Sequence, residues 1–527
     1  MTTRQWMQTS ALTALVAAAF VSANSAPAEA QRASAGRVAS VTETLAPEPA
    51  AARMTPLAAL SDAEREAMIA RRDAIRDATS SKGGGVARGL SNAAPTREAA
   101  ESEANLITRN VRNTRAQAVS STLAEPAAAN DGAEVFMGGN TYFSRSADNG
   151  ATWVAETIPG GPADAPFACC DLDFVHHPGT DTTFGIVLYT NAGQTNGVVR
   201  IFVRRGTISG GNDCTYLIDP AGTANNILPD YPHLAVSNNF LYLTTNNLRA
   251  GSWIGAQIRR FNIAQMSNCL TTTTNTFTYT GSDGQRILTP VEGATTTQYF
   301  GLNRTSNLFR IIRLREASNA LEFFDRQLSH GSNFVNPDCR GGTGNFDFIE
   351  RSTSWSIAGF RLRGAVVPGN RLWFVWNVGP DGSHTQAHIH SAIFSEPGLT
   401  TLTSPPVFNN TRCFGYPSIS SNVFGEFGIT FAHGGKAGGG GQAAQGAIAV
   451  DDAGSAGNFF PTLMTTALGT HNRSDSRFGD YFTIRRNKGC AQGWVATNYA
   501  LLNGNTTSAH VNARYIKFQS SLRANCP

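Results

Sequence analysis

Ser146-Ala-Asp-Asn-Gly-Ala-Thr-Trp153 is the stretch on which the reading of this chain turns. Asp148 and Asn149 can cap their own turn, Gly150 supplies a positive φ, and Thr152 with Trp153 restarts an extended strand. The indole then packs beneath the turn as a small local core. Such an octapeptide predicts sheet on both sides of it. It is a folding device and carries no chemistry of its own.

Working outward, strand signals dominate from about Thr122 onward, and a loose repeat emerges. Innermost strands are expected to begin near Glu125, Cys170, Asp230, Glu292, Arg361, Tyr416 and Asp480. Each is followed by an alternating apolar run, a turn and a second run, as in His233-Leu-Ala-Val-Ser237 and then Phe240-Leu-Tyr-Leu-Thr244. The starts lie about sixty residues apart, the length of a four-stranded blade with irregular outer loops. Seven starts predict an all-β, seven-bladed propeller over 119–527. Six blades are the alternative, because Glu292 and Arg361 are the weakest starts. The closing strand is expected at Ala513–Phe518.

The octapeptide is similar to the Asp-box of sialidases, and the chain as a whole resembles secreted bacterial sialidase-like propellers, a family mostly without assigned function. The matching pieces are Glu125-Pro126, the octapeptide, Cys169-Cys-Asp-Leu-Asp173, Asp230-Tyr-Pro-His233, Gly415-Tyr-Pro-Ser418 and Arg477-Phe-Gly-Asp-Tyr481. The resemblance implies the fold and a glycan as the natural partner, but propellers host hydrolases, lyases and plain binding modules alike. Sialidases also carry an arginine cluster, a Tyr–Glu nucleophile pair, an Asp acid/base and an Arg-Ile-Pro segment; this chain has no Arg-Ile-Pro. Arg310-Ile-Ile-Arg313-Leu-Arg315 reads as a strand with one solvated face.

The ends of the chain speak to its compartment. Arg4, the apolar run Ala11–Val21 and Ala28-Glu-Ala30 form a secretory signal over 1–30, with cleavage expected before Gln31. The protein is therefore expected to be secreted or periplasmic, with no membrane span. Residues 31–118 form an Ala/Ser/Arg-rich arm or linker, in which Ser61-Asp-Ala-Glu64 opens a helix near 61–79. Eight cysteines without a Cys-x-x-Cys pair point to disulfides rather than zinc. Cys490 with Cys526 is the favoured pair, and Cys169-Cys170 either closes on itself or reaches two partners. A formal net charge of +4 over 527 residues gives no basic groove, which excludes nucleic acid as a partner. A monomer is expected.

Aligned on the blade starts, Glu125, Asp171, Asp173, Asp230, His233, Glu292, Tyr416, Asp480 and Tyr481 form a polar ring near one mouth of the axial channel. Convergent carboxylates suit a glycosidase acid and base, or a calcium ion, the one cofactor this set would accept. The same positions can instead hydrogen-bond between blades in a non-catalytic module that binds glycan or protein. A polysaccharide lyase is the further alternative, with His233 or Tyr416 as base and Arg361 and Arg363 against the substrate carboxylate. His384, His388 and His390 are a candidate metal cluster but lack an evident carboxylate partner, and 433–441 is a glycine-rich rim loop without phosphate-motif context.

Overall fold

In the computed structural model, seven antiparallel sheets follow one another along the chain as the blades of a propeller. The structure describes residues 40–48, 106–116 and 123–520, except 115, 141, 211, 221–225, 281–287, 306, 329–337, 350–357, 363–369, 397, 452–461 and 503–510. The innermost strands are Ala127–Asp131, Phe167–His177, Ile227–Val236, Thr289–Glu292, Ala358–Leu362, Cys413–Ser421 and Thr483–Arg486, for blades 1 to 7. All seven begin within three residues of the starts read from the sequence. Blades 4 and 5 are joined along parallel innermost strands, with Val291 opposite Gly359 and Glu292 opposite Phe360.

Strand alternation explains the burial. In Phe240–Arg249, Leu241 and Leu243 pack into the core shared with blade 2, while Tyr242 points into the core shared with blade 4. In Asn370–Val378, Leu372, Phe374 and Trp376 face blade 4 while Trp373 and Val375 face blade 6. Successive side chains leave opposite faces of a strand, so the inner strands of a blade are buried on both faces.

The ring closes with a strand from before blade 1. Ile107–Arg112 forms the outer edge of blade 7, antiparallel to Arg514–Gln519, with Val111 opposite Tyr515. The expected closing strand is thus the third strand of blade 7, and 107–112 lies beyond it. The Ser146–Trp153 hairpin, between the third and fourth strands of blade 1, clasps this closure. Within the hairpin Ser146 Oγ accepts the Gly150 N–H at 2.7 Å, and Asp148 accepts both the N–H and the hydroxyl of Thr152 at 2.8 and 2.7 Å. These donors, the Thr152 amide first, hold the Asp148 carboxyl down at about 2. Across the blade boundary Arg109 donates to the carbonyls of Asp148 and Asn149, Lys517 Nζ donates to Asn149 Oδ1 at 3.1 Å, and Trp153 meets Tyr515 edge-on. Gly150, at φ 79°, lies so close to Val111 and Tyr515 that a Cβ there would clash.

Two pieces of 31–118 are therefore paired with the propeller. The second is Val41–Leu45, a fifth strand on blade 3, followed by Glu48, which holds the buried Arg200 of blade 2 at 2.8 Å. The helix expected at 61–79 and the signal at 1–30 lie outside the described residues. Disulfides join Cys169 to Cys170, Cys214 to Cys269 and Cys339 to Cys413. Cys490 is disulfide-bonded as well; its expected partner Cys526 lies outside the described residues. Among the described residues no helix is long and apolar enough to cross a membrane.

Because Trp153 fills the boundary where the ring closes, Trp153→Ala should cost about 3–5 kcal/mol in chemical denaturation. A change confined to the solvent side of the same hairpin, Ala151→Ser, should stay within about 0.5 kcal/mol.

Candidate functional site

Three innermost strands break register in the same way. The ladder skips two residues between Cys170 and Asp173, between Asp230 and His233, and between Gly415 and Ser418. The first skipped residue has positive φ in each case: Asp171 at 55°, Tyr231 at 55° and Tyr416 at 56°. Glu125, at 40°, stands in the corresponding place before blade 1. A left-handed non-glycine residue costs about 1–2 kcal/mol, so each needs local support. The neighbouring blade supplies it. Asn140 Oδ1 accepts the Asp171 N–H at 2.9 Å, Asp171 Oδ2 accepts the Tyr231 N–H at 3.1 Å, and Asn377 Oδ1 accepts the Tyr416 N–H at 2.8 Å.

Two residues beyond the bulge, side chains turn into the axis. Asp173, His233, Glu292 and Arg485 share one cavity of about 40 Å³ with Tyr231 and Tyr481, enough for a few water molecules. Arg485 reaches across it. Its Nε donates to Phe174 O at 3.0 Å, Nη2 is paired with Asp173 Oδ1, and Nη1 lies 3.6 Å from Glu292 Oε1. Asp173 is saturated: Oδ1 also accepts the Phe174 N–H, and Oδ2 accepts the Leu234 N–H at 2.9 Å with His233 Nδ1 at 3.7 Å. Burial works to raise this carboxyl, but Arg485, His233 and the Leu234 amide outweigh it and hold it below its ordinary value. Glu292 goes the other way. Burial pushes it up to about 7, Arg485 opposing and Asp173 adding to the push. His233 Nε2 is buried and has no hydrogen-bond partner.

The other residues singled out from the sequence divide. Glu125, Asp171 and Asp480 bring one oxygen each to within 4.8 Å of one another, beside the cavity. This all-oxygen set is of the kind calcium takes, although calcium needs 6–8 ligands and one oxygen of Asp171 is already bonded to Tyr231. Tyr481 donates its hydroxyl to Leu172 O at 3.0 Å, and burial holds that phenol well above its usual value. Asp230 is buried opposite Asn246 and does not line the cavity. Tyr416 packs against Phe478 and Phe482 and donates its hydroxyl to Phe348 O at 2.7 Å. The Arg361 side chain and all of Arg363 lie outside the described residues. Arg310 pairs with Asp325, and Arg313 and Arg315 pair with Glu322, all on the outer strands of blade 4. Arg485 escaped the sequence reading. Its signal was the alternation Thr483-Ile-Arg485, which sends both polar residues to the axis.

Two further polar groups lie off the axis. At Asp131, His176 and Asp181 the cation is built in, because Lys488 Nζ contacts both carboxylates. In the loop before the third strand of blade 5 (His388–Glu396), Asp381 supplies the carboxylate not evident from sequence, with His384 Nδ1 2.9 Å from it. His390 instead bonds Ser404 Oγ at 3.0 Å.

No known family profile matches the chain, and no curated protein does. Solved structures similar in shape include a Mycobacterium tuberculosis puromycin-hydrolyzing peptidase, 10% identical, covering 72% of this chain and 52% of that one at TM-score 0.36. A Penicillium chrysogenum alpha-L-arabinanase complexed with arabinobiose is 10% identical, with 76% and 94% covered at 0.37. Trypanosoma rangeli sialidase with the inhibitor DANA is 9% identical, with 79% and 61% covered at 0.40. The chain thus spans about half of the peptidase and under two thirds of the sialidase.

A carboxyl that keeps its proton to about pH 7 when folded, against 4.5 ordinarily, makes the native state bind more protons than the unfolded chain across that interval. Stability should therefore fall as pH rises from about 4.5 to 7, by up to about 3 kcal/mol. Glu292→Gln should flatten that slope. Urea melts at pH 5 and pH 8 check it: the variant should gain on the wild type at pH 8 and match it near pH 5.

Proposed function

We propose that this chain is a secreted, sialidase-like propeller that hydrolyses extracellular glycans at its axial cavity. The observation that carries the reading is a protonated carboxyl and a histidine facing one space. Glu292 holds its proton near neutrality, while the Nε2 of His233 is open and its Nδ1 backs onto the ionised Asp173. A carboxyl that keeps its proton and an imidazole nitrogen without a hydrogen-bond partner, facing one space, supply the acid and the base such a reaction needs. Glu292 gives its proton to the glycosidic oxygen as that bond breaks. His233 takes a proton from the attacking water, and the Asp173 carboxylate steadies the imidazolium so formed. Asp173 thus serves through His233, since its own oxygens are occupied. Export through the amino-terminal signal belongs to the proposal, and three described disulfides suit an oxidising compartment. So does assignment of Ser146–Trp153 as an Asp-box.

A lyase is the second reading, favoured by the fact that the open base is a histidine. There His233 removes the carbon-bound proton beside a uronate carboxylate, Glu292 protonates the leaving oxygen, and a double bond replaces the broken linkage.

The test is a panel of polysaccharides and aryl glycosides, read for new reducing ends and for the ultraviolet absorbance of an unsaturated uronate. Reducing ends without absorbance are expected, with a rate that declines above about pH 7 as Glu292 ionises. Glu292→Gln and His233→Ala should each lower kcat by roughly 10²–10⁴-fold. Absorbance would select the lyase. Saturable glycan binding without turnover across the panel would reduce the site to a binding module.

A further inference from the structure

The geometry points to a second, metal-binding site in the loop between the second and third strands of blade 5, built from Asp381, His384 and His388 and suited to a first-row divalent ion, zinc foremost. One ligand atom from each residue lies within 4.8 Å of the others. Asp381 Oδ2 lies 3.0 Å from His384 Nδ1 and 3.8 Å from His388 Nε2. Ligands bonded at 2.0–2.1 Å to a tetrahedral zinc stand about 3.3 Å apart, so these separations bracket the required value. Two imidazoles and one carboxylate leave the fourth position for water, on the partly exposed side of Asp381 and His384.

An independent observation comes from His388, whose side chain is 1% exposed and whose Nε2 has no hydrogen-bond partner. Its Nδ1 lies 3.3 Å from Gln386 O. If Nδ1 carries the proton and donates to that carbonyl, the Nε2 lone pair faces a carboxylate oxygen across 3.8 Å inside the protein. If Nε2 carries it, the Nδ1 lone pair faces the carbonyl instead. A neutral imidazole leaves one repulsive contact in either tautomer, and a cation between Nε2 and Asp381 removes it. A metal-bound histidine characteristically donates its other nitrogen to a backbone carbonyl, as the first tautomer does.

The loop is shaped without the ion. Asp381 Oδ1 accepts the N–H groups of Ser383 and His384 at 2.7 and 2.8 Å, so the turn persists in a variant that keeps an acceptor oxygen there. The site stands apart from the axial cavity, and nothing in it depends on the proposed hydrolysis.

The test uses the untagged full chain, stripped with chelator and titrated with zinc and, separately, cobalt. Retention of one ion per chain is expected, together with the visible absorption of tetrahedral cobalt and a rise in melting temperature. Asp381→Asn, which keeps the turn acceptor, and His384→Ala should each weaken zinc at least roughly 100-fold, more than loss of an outer hydrogen-bond partner. The apo form of Asp381→Asn should melt as the wild type does. Failure to retain zinc or cobalt at one per chain, binding unchanged in both variants, or a preference for calcium or magnesium would overturn the assignment.

Discussion

The guanidinium of Arg485, buried on the axis, is the constraint on which the arrangement of the centre depends. It belongs to blade 7, yet its nitrogens reach a carbonyl and a carboxylate of blade 2 and approach a carboxylate of blade 4. Inside a protein an ion pair of this kind repays its desolvation only when its remaining hydrogen bonds are made, and removing one partner costs about 3–5 kcal/mol. Asp173 meets that condition, with every acceptor position taken. Glu292 does not, being left with a share of a guanidinium already committed elsewhere. That inequality separates the two carboxyls in acidity.

The bulges explain why Asp173 and His233 are available at the axis, whereas Glu292 and Arg485 reach it from strands whose register is unbroken. An uninterrupted innermost strand would continue its simple alternation, with apolar residues entering the inter-blade cores. Skipping two residues at Asp171, Tyr231 and Tyr416 re-aims the side chains beyond them, and the left-handed residue is supported by an amide or carboxylate of the preceding blade. Asp171 does both jobs, being itself left-handed and supporting the next bulge. Local strain in one blade is thus met by its neighbour, and the ring must be closed for the series to hold. The closure rests on Ile107–Arg112 and on the hairpin that grips it.

Much of the candidate site was legible, for a local reason. The bulge has a sequence signature, a polar or aromatic residue followed by Pro or Leu and then a polar one, and it exposed Asp173 and His233 directly. At Gly415-Tyr-Pro-Ser418 the same signature again brings its last residue, Ser418, to the cavity. Tyr231 and Tyr416 share one backbone conformation, but Tyr231 lines the cavity while the Tyr416 hydroxyl is spent on Phe348 O. What differs is the neighbouring blade, which the motif does not encode. Arg485 was hidden for the complementary reason: beside Arg486 at the end of a short strand it resembles any basic edge, and its partner Asp173 is 312 residues away.

What the sequence determined by itself were the strands and their turns, because alternation, glycine placement and capping act over a few residues. That is why the seven innermost strands lie within three residues of their expected starts. Tertiary structure alone decided which polar groups share the axis, which are saturated between blades, and that a strand preceding the first blade completes the last one. These outcomes depend on closing a ring of seven sheets, and closure joins residues whose separation along the chain leaves no local trace.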